Sequence, residues 1–71
     1  MSKGAMITVN GIEQSLGPHS IAELLAERGI AVEARGIAVA RNGAVVLRRL
    51  WPTTALAAGD SIEIIKAVSG G

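Results

Sequence analysis

Apolar and polar residues alternate near the start of the chain. In Met6-Ile7-Thr8-Val9-Asn10, Ile7 and Val9 fall on one side and Thr8 and Asn10 on the other, the period-two pattern of a half-buried strand. Asn10-Gly11 follows. A two-residue hairpin turn needs positive φ at both central positions, and Asn and Gly tolerate this best, so Ile12 to Leu16 is expected to return as a second strand. Gly17-Pro18 breaks it. The period then changes to that of a helix. Ser20-Ile21-Ala22-Glu23 fits a capping box, in which Ser20 accepts from the Glu23 amide and Glu23 reaches back. Ile21, Leu24 and Leu25 form one apolar stripe at i, i+3 and i+4. Arg28 suits the negative end of the helix dipole, and Gly29 is the expected left-handed stop. So short a helix lives by packing rather than by propensity.

The second half returns to strand periodicity. Ile30 to Arg35 reads as a connection with apolar plugs at Ile30 and Val32. Ile37 to Arg41 is a third strand, Asn42-Gly43 repeats the hairpin signal, and Ala44 to Arg48 is a fourth. Arg49 to Ala58 is irregular, with Pro52 barring a long helix and Trp51 anchoring the segment. Gly59-Asp60 turns into a fifth strand, Ser61 to Lys66. The order is strand, strand, helix, three strands. One amphipathic helix covers one face of one sheet, which makes a two-layer α+β domain with the other sheet face open. In the last strand Ile62 and Ile64 share a face, while Glu63, Ile65 and Ala67 share the other. With Ile62 and Ile64 under the helix, Ile65 stands on the open face. Val46 is expected to join it, with Val45 and Leu47 turned inward and Arg48 at the edge. Residues 1–5 read as an unpatterned N-terminal extension, residues 6–68 as the domain and residues 69–71 as a flexible tail.

Composition narrows the chemistry. The chain has 71 residues, 49% of them hydrophobic, and a net charge of +1, so it folds as one small domain rather than staying disordered. The balanced charge leaves no basic footprint for nucleic acid, and the lack of Phe and Tyr removes the usual base-stacking platforms. With no Cys there is no disulfide, thiolate metal site or cysteine nucleophile. Apolar runs stop at about four residues, far below the roughly 18 that span a membrane. The opening MSKGAM lacks the apolar stretch of a secretory signal, so a cytoplasmic location is expected. The chain is also expected to be a monomer when free and to hold no metal or cofactor of its own.

Few side chains suggest chemistry. His19, just before the helix, would need an orienting partner and a cleft to act as a base, and its plain reading is a solvated residue. Trp51 is a ligand platform or, at the end of a loop of small residues, a core anchor. Arg48-Arg49 is a phosphate or acidic-partner contact or a solvated edge. The glutamates are scattered, and no glycine pattern matches a phosphate-binding loop. What remains is the ending, Gly70-Gly71. At a background Gly usage of about 7%, such a pair arises by chance about once in 200 sequences. Its plain reading is a loose end or an expression remnant. Its functional reading is specific: a dipeptide without side chains enters a channel too narrow for any other, and its carboxylate is unhindered for attack on a nucleotide phosphate.

Three segments together resemble the ThiS family, the sulfur carriers of thiazole formation in thiamin biosynthesis. They are the opening ITVNG, the stretch IAVARNGAVVLRRLW with its N-G-x-V-V-x-R-x-x-W pattern, and the ending GDSIEIIKAVSGG. Leu47 and Leu50 depart from the pattern, standing where many members have Pro and an acidic residue. The resemblance implies a ubiquitin-like β-grasp fold, a mixed five-stranded sheet on one helix in ββαβββ order. It implies that the Gly71 carboxylate is adenylated by a ThiF-like adenylyltransferase using MgATP. A persulfide donor such as a cysteine desulfurase then supplies sulfur, and the resulting thiocarboxylate delivers it to thiazole synthase, ThiG. Ser69 and Gly70 would be read by partners as the tail. From the open-face reading above, Ile65 and Val46, with Arg48 at the edge, are expected to guide docking, unless the loop carrying Trp51 folds over them as a second, minor core. The chain itself would be a co-substrate, with no catalytic residue of its own. The small subunit of molybdopterin synthase also ends in Gly-Gly, but it is longer, carries Phe and has prolines where Lys66-Ala67 stands here. Another Gly-Gly carrier or ubiquitin-like modifier, and a non-covalent binding module of the same fold, are the remaining alternatives.

Overall fold

The computed structural model describes residues 5–31 and 33–66. Strands β1 (Met6–Val9) and β2 (Ile12–Ser15) precede helix α1 (Ile21–Glu27), and β3 (Ile37–Arg41), β4 (Ala44–Val46) and β5 (Ser61–Lys66) follow it. They form one five-stranded sheet in the order β2-β1-β5-β3-β4. The last strand is therefore central. It runs parallel to β1 and antiparallel to β3, and the two hairpins lie to either side of it. This is the β-grasp arrangement that the resemblance implies, in the ββαβββ order read from the sequence.

Both hairpins turn on the Asn-Gly pairs. Asn10 and Asn42 each have φ +53, with Gly11 at +83 and Gly43 at +87, as a type I′ turn requires. α1 begins where the capping box places it. Ser20 Oγ accepts from the Glu23 amide at 3.2 Å, but Glu23 returns its bond to the amide of His19 (2.9 Å), one residue before the cap. The helix ends in a Schellman motif: Gly29 at φ +75 lets its own amide reach the Ala26 carbonyl and that of Ile30 reach the Leu25 carbonyl. Arg28 is the C-cap rather than part of the last turn, and donates to Gln14 on β2.

The core lies between α1 and one sheet face. Ile21, Leu24 and Leu25 meet Ile7, Val9, Val39 and Ile62, and Trp51 and Leu56 close the side. Eight of these side chains are almost wholly withdrawn from water, Trp51 the largest. At roughly 1.5–3 kcal/mol for each buried large side chain, this cluster is the main source of stability in so small a domain. The segment between β4 and β5 holds Trp51 there. It forms a 3-10 turn at Arg48–Leu50, passes Pro52, and bridges to the cap of α1 through Ser20 and Ala55. The 3-10 turn shortens β4, which ends at Val46 and not at the expected Arg48. Val32 and residues 1–4 lie outside the described residues, as does the tail from residue 67.

Candidate functional site

β5 carries the site, because it leads from the centre of the sheet toward the Gly70-Gly71 end. Ile62 is fully buried and Ile64 packs on the core, so Ile65 points to the uncovered face and is 54% exposed. Ser69, Gly70 and Gly71 lie beyond the described residues.

The partner expected for Ile65 on that face is corrected. Val46 lies against the core, and Val45 and Leu47 are the exposed residues, at 74% and 53%. The cause is the turn. A two-residue loop at Asn42-Gly43 places Arg41 opposite Ala44, Ala40 opposite Val45 and Val39 opposite Val46. Directly opposed residues share a face. Val39 is buried in the core, so Val46 must be on the core side and Val45 on the open one. The open face thus brings Val45 next to Ala40 and Ile65 next to Ala38, with Leu47 following at the edge. The turn length and the burial of Val39 together were the signal that identifies Val45.

Arg48 is not a free edge cation. Its Nη2 donates to the Ala34 carbonyl at 2.6 Å, and its guanidinium carbon lies 4.7 Å from the centre of the Trp51 ring. Such stacking is worth about 0.5–1 kcal/mol at an exposed site. Arg48 thereby ties the connection before β3 to the loop after β4. Trp51 is the core anchor, with Nε1 donating to the Val46 carbonyl at 3.0 Å. His19 is exposed, and its carbonyl accepts from Leu56.

A polar knot holds the opposite end of β5. Asp60 is buried, and its carboxylate accepts from Arg41 Nε at 2.8 Å, Asn42 Nδ2 at 3.0 Å and the Ala57 amide at 2.8 Å. Burial alone would raise its pKa. The bonds from Arg41, Asn42 and Ala57 outweigh that and hold it below the usual carboxylate value. Asn42 Oδ1 also accepts from the Ser61 amide, and on the other flank Asn10 Oδ1 accepts from the Ile64 amide at 2.8 Å. Each turn asparagine therefore fastens its hairpin to the central strand. Sequence reasoning missed this knot, because Arg41, Asn42 and Asp60 meet only once β3 and β5 pair.

Among the described residues no group of three or more His, Cys, Asp or Glu side chains could hold a metal, and no helix is long and apolar enough to cross a membrane. A depression beside β1 is lined by Met6, Ile7, Thr8, Glu13, Gly59 and Asp60.

The comparisons with known proteins agree with this architecture. The model of the ThiS family matches residues 4–71, nearly the whole sequence. The chain belongs to the ThiS family. A crystal structure of the thiamine biosynthesis protein ThiS from Geobacter metallireducens is similar, with a TM-score of 0.75 and 29% identity over 93% of this chain and 99% of that one. No curated protein matches. The ThiS match runs through the glycine pair as well as the sheet, so strand β5 and the end it leads to fall within one family unit.

Proposed function

We propose that this ThiS-family chain is a sulfur carrier of thiazole formation in thiamin biosynthesis, and that the Gly71 carboxylate is its reacting group. The observation that carries this is the central strand β5 running directly toward Gly70-Gly71 in a chain whose family match includes that pair. A carboxylate is a poor electrophile because its charge repels nucleophiles. A ThiF-like adenylyltransferase would transfer AMP from MgATP to the Gly71 oxygen and release pyrophosphate. The terminal sulfur of a persulfide then attacks the acyl carbon and AMP leaves, which splits one hard substitution into two easier ones. The acyl disulfide is reduced by a thiol, which forms a new disulfide and frees the thiocarboxylate. Thiazole synthase, ThiG, takes the sulfur from it. The absence of Cys fits this role, since the sulfur rides on the main chain.

The body of the domain supplies recognition. Val45, Leu47 and Ile65 are exposed with Ala38 on the open sheet face, an apolar patch of the kind a soluble domain reserves for a protein partner. It adjoins the strand that delivers the tail. Arg48 contributes indirectly, by tying the loop that follows β4 to the connection before β3.

Incubation with the host's adenylyltransferase, MgATP and a persulfide source, followed by intact mass measurement, tests the proposal. The product should gain the mass difference between one sulfur and one oxygen. Gly71→Ala should fold normally and gain nothing. An unchanged mass for the parent chain, or a normal gain for the variant, overturns the assignment.

A further inference from the structure

Main-chain groups point alternately to the two sides of a strand. The Ser61 carbonyl accepts from Asn42 at the β3 hairpin, and the Ile62 carbonyl accepts from the Asn10 amide at the end of β1. Ser61, Glu63 and Ile65 therefore face β3, and Ile62, Ile64 and Lys66 face β1. The β1 pairing ends early, at Val9 opposite Ile62, while the β3 pairing continues to Ile37 opposite Lys66. Asn10 turns the chain away, and its side chain satisfies the Ile64 amide in place of a strand. From that point to Lys66 no described strand runs beside β5 on the β1 side. The Ile64 carbonyl and the Lys66 amide thus line an open notch, in the lane β1 has left, immediately before the tail.

We propose that this notch receives an extended main-chain segment of the adenylyltransferase that activates the tail, adding a strand beside Ile64 to Lys66. A carbonyl of the incoming segment accepts from the Lys66 amide, and one of its amides donates to the Ile64 carbonyl. The inference rests on the carrier role proposed above and gives it a second recognition element, distinct from the apolar face. The argument for such an occupant is chemical. The groups offered are one main-chain donor and one main-chain acceptor at strand spacing, which another extended backbone matches. The segment that follows ends in two glycines, which offer a partner no side chain to grip, so backbone pairing just upstream fixes where the tail points. The outer strands β2 and β4 present edges too, but neither leads to the tail.

The test uses the full chain and its host's adenylyltransferase. In the complex, amide exchange at Lys66 should slow by at least about tenfold relative to the free chain, the protection of a new main-chain bond. Lys66→Pro removes this outward amide without touching the β3 pairing, and Lys66→Ala controls for the lost charge. The Pro variant should melt close to the Ala variant and bind about tenfold more weakly, the worth of one or two main-chain bonds. Equal binding by the two variants, or unprotected Lys66 in a complex that forms thiocarboxylate, overturns the notch and leaves the carrier role standing. If Lys66→Pro does not fold, the exchange measurement on the parent chain decides. Lys66 protection that grows with concentration of the free chain assigns the edge to a second copy and overturns the proposal. If the parent chain neither binds nor gains sulfur, the carrier role falls and the notch falls with it.

Discussion

The two faces of the sheet are built from the same kind of residue and do opposite work. On the covered face Ile7, Val9, Val39 and Ile62 disappear beneath α1 and Trp51. On the open face Val45 and Ile65 are just as apolar, yet more than half exposed. Along β5 the faces alternate residue by residue, Ile62 and Ile64 toward the core and Ser61, Glu63 and Ile65 toward the open side, so the apolar Ile65 stands where its strand is otherwise polar. Hydrophobicity alone therefore does not say which side chain is core. Register does, and here register is set by two Asn-Gly turns.

Substitutions on either side should separate the two faces. The largest effect belongs to Ile62→Ala, which leaves a cavity where the strand is fully buried. It should cost about 2–5 kcal/mol, enough to unfold much of the population of so small a domain in a thermal melt followed by circular dichroism. Melting within a few degrees of the parent would show that the covered face is not the core.

Asp60→Asn should cost about 1.5–3 kcal/mol near neutral pH, since it removes the charge that Arg41 and Asn42 satisfy. A depressed folded-state pKa means stabilisation that is complete above the unfolded-state pKa, near 4, and lost as pH falls below it. The parent should therefore lose stability with acid below about pH 4 more steeply than the variant. Parallel acid profiles would remove Asp60 from that role.

A smaller and sharper contrast comes from neighbours. Val46→Ser should lower stability by about 1–2 kcal/mol, while Val45→Ser should change it by less than about 0.5 kcal/mol. The reverse order in a denaturant titration would mean that β4 is shifted by one residue. The smallest effect on stability is expected for Ile65→Lys, again within about 0.5 kcal/mol, but sulfur acceptance from the adenylyltransferase should fall several-fold. A sharp loss of melting temperature would instead place Ile65 in a core, and a stable, fully active variant would leave the open face without a function.

Much of this was legible in the residues. The alternation at Met6–Val9 and Ser61–Lys66, the paired Asn-Gly turns and the Ser20 to Gly29 helix signals each act locally, so each appears in sequence. What the residues do not announce depends on contacts across the chain. The alternation of β4 taken alone puts Val46 on the open face, whereas the Asn42-Gly43 turn couples it to Val39 and turns it to the core. The 3-10 turn at Arg48–Leu50 has no strong local signal. It is held by Trp51 reaching the core and by Arg48 reaching Ala34. The Arg41–Asp60 pair joins positions 19 residues apart, and no local pattern announces it.

The packing of Trp51 has an optical consequence. The chain has no Tyr or Phe, so this one indole dominates both its near-ultraviolet absorption and its intrinsic emission. Sheltered from water, it should emit toward the blue while the domain is folded and shift to the red as the loop from β4 to β5 peels away. The molecule thus carries its own gauge of folding in one buried ring.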